Sequence, residues 1–235
     1  MKKIKFIPQV KNAELVGIPP QPSNKFIPDW YKGIHPFTNN ATKISMPMGE
    51  QGPNITIKRC VPFLDAMTVG YMAVTDDDIN IEYSNGSPLM RWRSDGEMIT
   101  FHSPEQYNGL PIPDGYAYMV AKWHNEWGIE LPDGFSALFT HPSNRLDLPF
   151  YTLTGLVDCD KYNMPVHFPF ILKKEFEGVI PSGTPVAQII PIKRESWSSD
   201  IEKYNEEKSY IKGRTFFRTF SASYKKNYWT KKSYE

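Results

Sequence analysis

Phe135-Ser136-Ala137-Leu138-Phe139-Thr140 is six residues of strand-forming composition. It is bounded by Pro132-Asp133-Gly134 on one side and His141-Pro142-Ser143-Asn144 on the other. Aromatic and aliphatic residues between such turn formers read as a short β-strand. The pattern recurs outward from there, at 116–123, 153–158, Phe168–Leu172 and 186–193, with Pro- and Gly-bearing turns between. Ile55-Thr56-Ile57-Lys58 alternates as a half-buried strand does. Ile79-Asn80-Ile81-Glu82-Tyr83, Asn85-Gly86 and Met90-Arg91-Trp92-Arg93 read as a hairpin, because Asn-Gly favours the turn that matches strand twist. Short strands at this spacing predict a mainly β fold, a compact barrel or sandwich.

Composition agrees. The chain has 235 residues, 40% hydrophobic and 23% charged, enough to bury a core without metal or disulfide staples. Twenty-one prolines and 14% aromatics tip the balance away from helices. The net charge of +1 does not suggest wholesale binding to DNA or to an acidic membrane. No apolar run is long enough to span a bilayer. The basic start Lys2-Lys3-Ile4-Lys5 leads into no apolar stretch of signal-peptide type and is read as mature sequence. Cys60 and Cys159 cannot build a disulfide framework and read as ordinary thiols.

Three regions are expected. Residues 1–55 form an extended Pro-rich arm: Ile18-Pro19-Pro20-Gln21-Pro22 must run extended, and Asp29-Trp30-Tyr31 either begins a short helix after Pro28 or anchors the arm to the body. Residues 56–193 form the β-rich domain. Residues 194–235 form a helical, basic and aromatic tail. Ser199-Asp200-Ile201-Glu202 has the capping-box pattern for a helix reaching about residue 210. Phe217, Phe220, Tyr224 and Tyr228 follow at helical spacing. Seven basic residues stand against Glu235 alone over 212–235, so the tail carries +6 and the remainder −5.

There is no Gly-rich phosphate loop ending in Gly-Lys-Ser/Thr, no His-Glu-x-x-His, no Gly-x-Ser-x-Gly and no Cys-x-x-Cys. P-loop hydrolysis, common zinc proteolysis and the serine-hydrolase elbow leave the front rank.

Three stretches taken in order do carry a resemblance: 131–144, ending Thr140-His141-Pro142-Ser143-Asn144; 153–162, with Gly155-Leu156-Val157-Asp158-Cys159-Asp160-Lys161-Tyr162; and 180–192, with Gly183-Thr184-Pro185-Val186-Ala187-Gln188-Ile189. They resemble the dUTPase and dCTP deaminase superfamily, whose fold is the β-clip. The resemblance implies a dUTPase-like β-clip domain, commonly trimeric, with sites between subunits. It implies that Asp158 positions and deprotonates a water. It implies that Gln188 and Ser143 hold phosphate, with Asn144 a neutral donor beside them, and that Tyr162 stacks on the sugar. Pro142 stands where that family has a phosphate-holding arginine, and Arg145 is the nearby substitute. Met72, in Val69-Gly70-Tyr71-Met72-Ala73, stands where an acidic residue helps hold magnesium. The strand after the hairpin lacks the deaminase glutamate, which disfavours deamination. The Gly-rich C-terminal arm of the family has only a glycine-poor counterpart in 213–223. The whole chain also resembles an uncharacterised family of tailed-bacteriophage proteins, through Phe26-Ile27-Pro28-Asp29-Trp30-Tyr31 and Thr140-His141-Pro142 with Asn144-Arg145. That implies a phage protein in the cytoplasm of an infected host cell or in the virion.

Other readings stand beside this one. Asp158 and Gln188 also suit a hairpin cap and a strand-end amide. Ser143, Asn144 and Arg145 suit plain turn chemistry, with Arg145 paired to Asp147 or Asp158. His124-x-Glu126 with His167 fits a loose iron facial triad, with Lys173 for an oxo-acid, as in an Fe(II)/2-oxoglutarate oxygenase. The paired cysteines of a zinc deaminase are missing. The tail reads as an amphipathic helix packed on the body rather than a nucleic-acid binder. The expected function is nucleotide binding, by hydrolysis or by sequestration. The alternatives are a non-enzymatic phage assembly or host-factor-blocking protein, and the oxygenase.

Overall fold

Asn85 and Gly86 take left-handed backbone angles (φ 51° and 78°) and close the hairpin between β4 (Ile79–Ser84) and β5 (Ser87–Arg91). This turn supplies the local twist that antiparallel neighbours need. The computed structural model describes residues 2–11, 13, 17–45, 54–207, 210 and 223–235. Its strands form four antiparallel sheets.

The largest sheet has the order β11 (Gly155–Val157), β9 (Phe135–Thr140), β14 (Pro185–Lys193), β3 (Tyr71–Val74), β2 (Gln21–Pro22). A four-stranded sheet runs β10 (Phe150–Thr152), β12 (Phe168–Leu172), β7 (Ala121–Trp123), β6 (Ile99–Phe101). Strand β13 (Gly178–Ile180) joins the β4–β5 hairpin, and β1 (Lys5–Pro8) pairs with β8 (Trp127–Glu130).

One core takes side chains from all four sheets, among them Phe139 and Ile189, Trp123 and Phe170, Ile79 and Ile180, and Ile129. Trp123 stacks on Phe170 with ring centroids 3.9 Å apart, and Phe150 meets the tryptophan edge-on at 5.0 Å. Offset and edge contacts of this kind add to the area they bury. Strand alternation sends Ala137, Phe139, Ala187 and Ile189 into this core.

The chain divides into two units. The first comprises Met1–Phe26, Met67–Arg194 and Tyr234–Glu235. Residues 1–26, expected as part of an arm, therefore belong to the β unit: β1 and β2 pair into its sheets, because Phe6, Ile7 and the extended 21–22 segment have backbone groups to satisfy. The second unit comprises Ile27–Ala66 and Glu195–Ser233. There the expected short helix is α1 (Asp29–Gly33), whose Tyr31 is buried, stacks on Phe63 and lies under the Lys58 ammonium. Helix α2 (Val61–Thr68) presents Asp65, which accepts from Trp229 Nε1 and Lys232 Nζ.

Three local expectations differ. Residues 57–59 form a 3-10 turn instead of a strand, since Lys58 is tied to the end of α1: its Nζ donates to Tyr31 O at 2.7 Å and to Lys32 O at 3.2 Å. Of 116–123, only Ala121–Trp123 pairs as a strand. Ser199 starts no helix, and 199–205 has no regular structure. Of the tail row, Phe217 and Phe220 lie outside the described residues, while α3 (Ser223–Asn227) follows them. No helix among the described residues is long and apolar enough to cross a membrane.

Gly70 has φ +73°, and a Cβ there would sit 2.1 Å from the Ile189 carbonyl oxygen. Gly33 meets nothing within 4 Å. Gly70→Ala is expected to lower stability by about 3 kcal/mol through clash and strain, and Gly33→Ala by roughly nothing. Thermal denaturation of the two variants side by side checks this; equal midpoints would remove the claim that β3 and β14 need a glycine at their approach.

Candidate functional site

Alternation along β14 turns Gln188 away from the core that Ala187 and Ile189 enter, yet Gln188 is fully buried. Its cover comes from two segments distant in sequence. Ser143 N donates to Gln188 Oε1 at 2.9 Å, and Gln188 Nε2 donates to Val69 O at 2.7 Å. Three of the stretches singled out in the sequence thus meet at one carboxamide. The role differs from the one expected: the amide is bonded to backbone groups, so Gln188 positions the 141–145 turn instead of donating to phosphate. A buried amide must be satisfied, and these are the donors and acceptors in reach.

The turn itself is held by His141, which stands out in the sequence only as part of a motif. Thr152 N donates to His141 Nδ1, which fixes the hydrogen on Nε2, and Nε2 faces Arg145 O at 3.1 Å. Burial lowers the His141 pKa below the ordinary imidazole value and keeps the ring neutral. Asn144 takes a left-handed φ of 62°, as turn chemistry allows for asparagine. Arg145 then makes a fork to Asp147, Nε and Nη2 each at 2.9 Å from a carboxylate oxygen. Of its two expected partners, this is the one it takes.

Arg145 and Asp147 line a cleft of about 530 Å³. Lys173, Phe176 and the 179–185 segment complete its lining. Lys173 Nζ donates to Leu146 O at 3.0 Å, which steers the ammonium toward the arginine's loop. Two cations and one carboxylate thus share the cleft lining with Phe176, Val179 and Ile180. The sequence suggests Lys173 only as an oxo-acid ligand beside an iron site. Nothing in its sequence neighbourhood ties it to Arg145, because the pairing is made by the strand register of β10 with β12.

Asp158 stands elsewhere. Ser136 Oγ donates to it at 2.6 Å, and Arg194 Nη1 lies 3.1 Å away. Ser136 and Thr140 begin and end the outward row of β9, and Thr140 pairs with Gln188. Four residues of strand put Asp158 and Gln188 about 13 Å apart within one chain. The two groups expected to converge therefore do not do so in the protomer. Asp158 remains half exposed, at 53%, on the hairpin turn that also exposes Tyr162. The serine bond holds its carboxyl below the usual carboxylate range, with Arg194 adding to the effect. Asp160 is held more firmly: Arg194 binds it through both Nη atoms, Gly134 N donates to it, and its pKa falls to about 2. Cys159 between them is buried, and burial pushes its thiol up to about 11.

The iron triad does not assemble. His124 and His167 stack face to face at 4.2 Å, with His124 Nε2 against Thr100 Oγ1 at 2.7 Å and Asn125 N against His167 Nδ1. Those nitrogens are used by the protein, and Glu126 joins no common point with them. Magnesium fares no better, since buried Met72 pairs with Gln188 on β3, and Asp147 is the sole carboxylate lining the cleft. Among the described residues no group of three or more His, Cys, Asp or Glu could hold a metal ion.

No family model matches the chain, and no curated protein matches it. A search of solved structures matches a dUTPase from phage phi11 of S. aureus, with a TM-score of 0.32 and 11% identity over 73% of this chain and 95% of that one.

Gln188→Leu should cost about 2–4 kcal/mol, because Ser143 N–H and Val69 C=O lose their partner in a buried place; urea denaturation measures it, and a neutral result would show that water replaces the amide. The Asp160 carboxyl has a folded pKa of about 2 against an ordinary 3.8, so its contribution is whole above pH 4 and fades as pH falls toward 2. Arg194→Met should flatten the acid limb of a stability–pH curve in that window; an unchanged limb would assign acid sensitivity to other carboxylates.

Proposed function

We propose that the protein binds a nucleotide in the cleft between the Arg145 loop and the 181–185 turn, and that the single chain sequesters it instead of hydrolysing it. One observation carries the reading: Arg145 and Lys173 line one cleft of about 530 Å³ together with Phe176, Val179 and Ile180, and the Lys173 ammonium is bonded to Leu146 O beside the arginine. A cavity of that size suits a small organic ligand. A guanidinium and an ammonium, each steered by a protein acceptor, suit a phosphate. A phenyl ring and aliphatic side chains suit the base and sugar. Sequestration is favoured over hydrolysis because Asp158, the expected base, is bound to Ser136 and Arg194 at the far end of β9.

Hydrolysis in an oligomer is the second reading, and a specific feature favours it. The outward face between Gln188 and Asp158 is apolar, made by Leu138, Leu156, Ile190 and Ile192, with Leu156 63% exposed. A second copy of the chain laid on that face would bring its own 158–162 turn beside the first copy's cleft loop.

Calorimetric titration with nucleotides tests the reading. Arg145→Ala and Lys173→Met should each weaken binding by about ten- to a hundredfold, the worth of a charge-assisted hydrogen bond. Asp158→Asn should leave affinity unchanged and remove any turnover. If both cation variants bind as the parent does, the cleft is not the site; if Asp158→Asn retains turnover, its role as base is lost.

A further inference from the structure

The charges that line the cleft limit the charge of what it can hold. We infer, resting on the nucleotide reading above, that the ligand is a nucleotide of low charge, a nucleoside monophosphate or a cyclic nucleotide, and not a triphosphate.

The lining side chains contribute Arg145, Lys173 and Asp147, a net charge of +1. Part of the arginine is already committed, since Nε and Nη2 both bond Asp147. A phosphate-binding loop would normally add backbone N–H groups pointing into the cavity. The 181–185 wall adds none of its own. Pro181 and Pro185 have no N–H. Ser182 N donates to Asp78 Oδ1 at 2.8 Å, Gly183 N to Thr75 O at 2.8 Å, and Thr184 N to Pro181 O at 3.1 Å. The N–H groups of the turn are therefore all spent within the protein.

Around the cleft, carboxylates offset the nearby lysines Lys173 and Lys174. Asp78 is bonded to Ser182 in the wall, and Glu175 and Glu177 flank Phe176 in the chain. Asp147 alone lines the cleft as a carboxylate, too few to seat a magnesium ion beside a polyphosphate. A triphosphate brings about four negative charges, of which this site can neutralise one or two, and each uncompensated charge is costly to take from water. A monophosphate or a cyclic phosphodiester matches the two cations without excess.

Calorimetry on the full-length protein, without divalent metal, tests this with the mono-, 3′,5′-cyclic mono- and triphosphates of each common base. For the base that binds best, the mono- or cyclic form should bind at least about tenfold tighter than the triphosphate, a difference of one unpaired charge. The comparison between the two low-charge forms names the ester. Asp147→Asn, which raises the lining charge to +2, should narrow the gap by improving the triphosphate more than the monophosphate; circular dichroism checks that it is folded. A triphosphate that binds as tightly as the monophosphate overturns the charge inference and leaves the cleft assignment standing. Failure of every nucleotide to bind overturns the cleft assignment and the inference with it.

Discussion

A single carboxamide on the outer face of a sheet holds the site together. Gln188 is fully buried, so both ends of its amide need partners. They find Ser143 N and Val69 O, 45 and 119 residues away. These bonds fasten the loop after β9 and the approach to β3 onto the middle strand of the largest sheet. Everything downstream in the loop inherits that anchor: His141 braces the turn, and Arg145 emerges from it toward the cleft. The amide is spent on backbone partners, which fix the loop that lines the cleft.

The other end of β9 shows the same pattern with charged groups. Asp158 reads along the chain as a catalytic base; in the fold Arg194 bonds it together with Asp160. Arg194, at the exit of β14, gathers both carboxylates and the carbonyl of Phe135, and so closes the sheet end where β9, β11 and β14 meet. Bidentate pairing of an arginine with a carboxylate fixes direction as well as charge. The buried Cys159 thiol, with its raised pKa, is a packing group of this corner and not a nucleophile.

The cleft and the Arg194 corner thus occupy opposite ends of one strand. The Arg145 end has cations that line open space; the Arg194 end has a cation consumed by carboxylates. Residue type alone cannot tell these apart. An arginine near an aspartate is a ligand site or a staple according to which atoms are left facing a cavity, and that depends on the packing around it.

Local chemistry determined what a few residues decide among themselves. Asn85 and Gly86 tolerate left-handed backbone, so the β4–β5 hairpin was legible in the sequence, as were Phe135–Thr140 and Phe168–Leu172 between their turn formers. Arg145 was also legible as the basic residue displaced from the motif. The capping-box letters at Ser199 were present, but no helix starts there and 199–205 has no regular structure, because a cap without a packed apolar face does not overcome the cost of nucleation. Tertiary structure alone decided that β1 and β2 join the β unit, that Gln188 turns outward into cover, that Asp158 lies a strand's length away from it, and that Lys173 and Arg145 line one cleft. Each of these depends on register between segments tens of residues apart, and a shift of one residue in a strand sends every side chain to the opposite face.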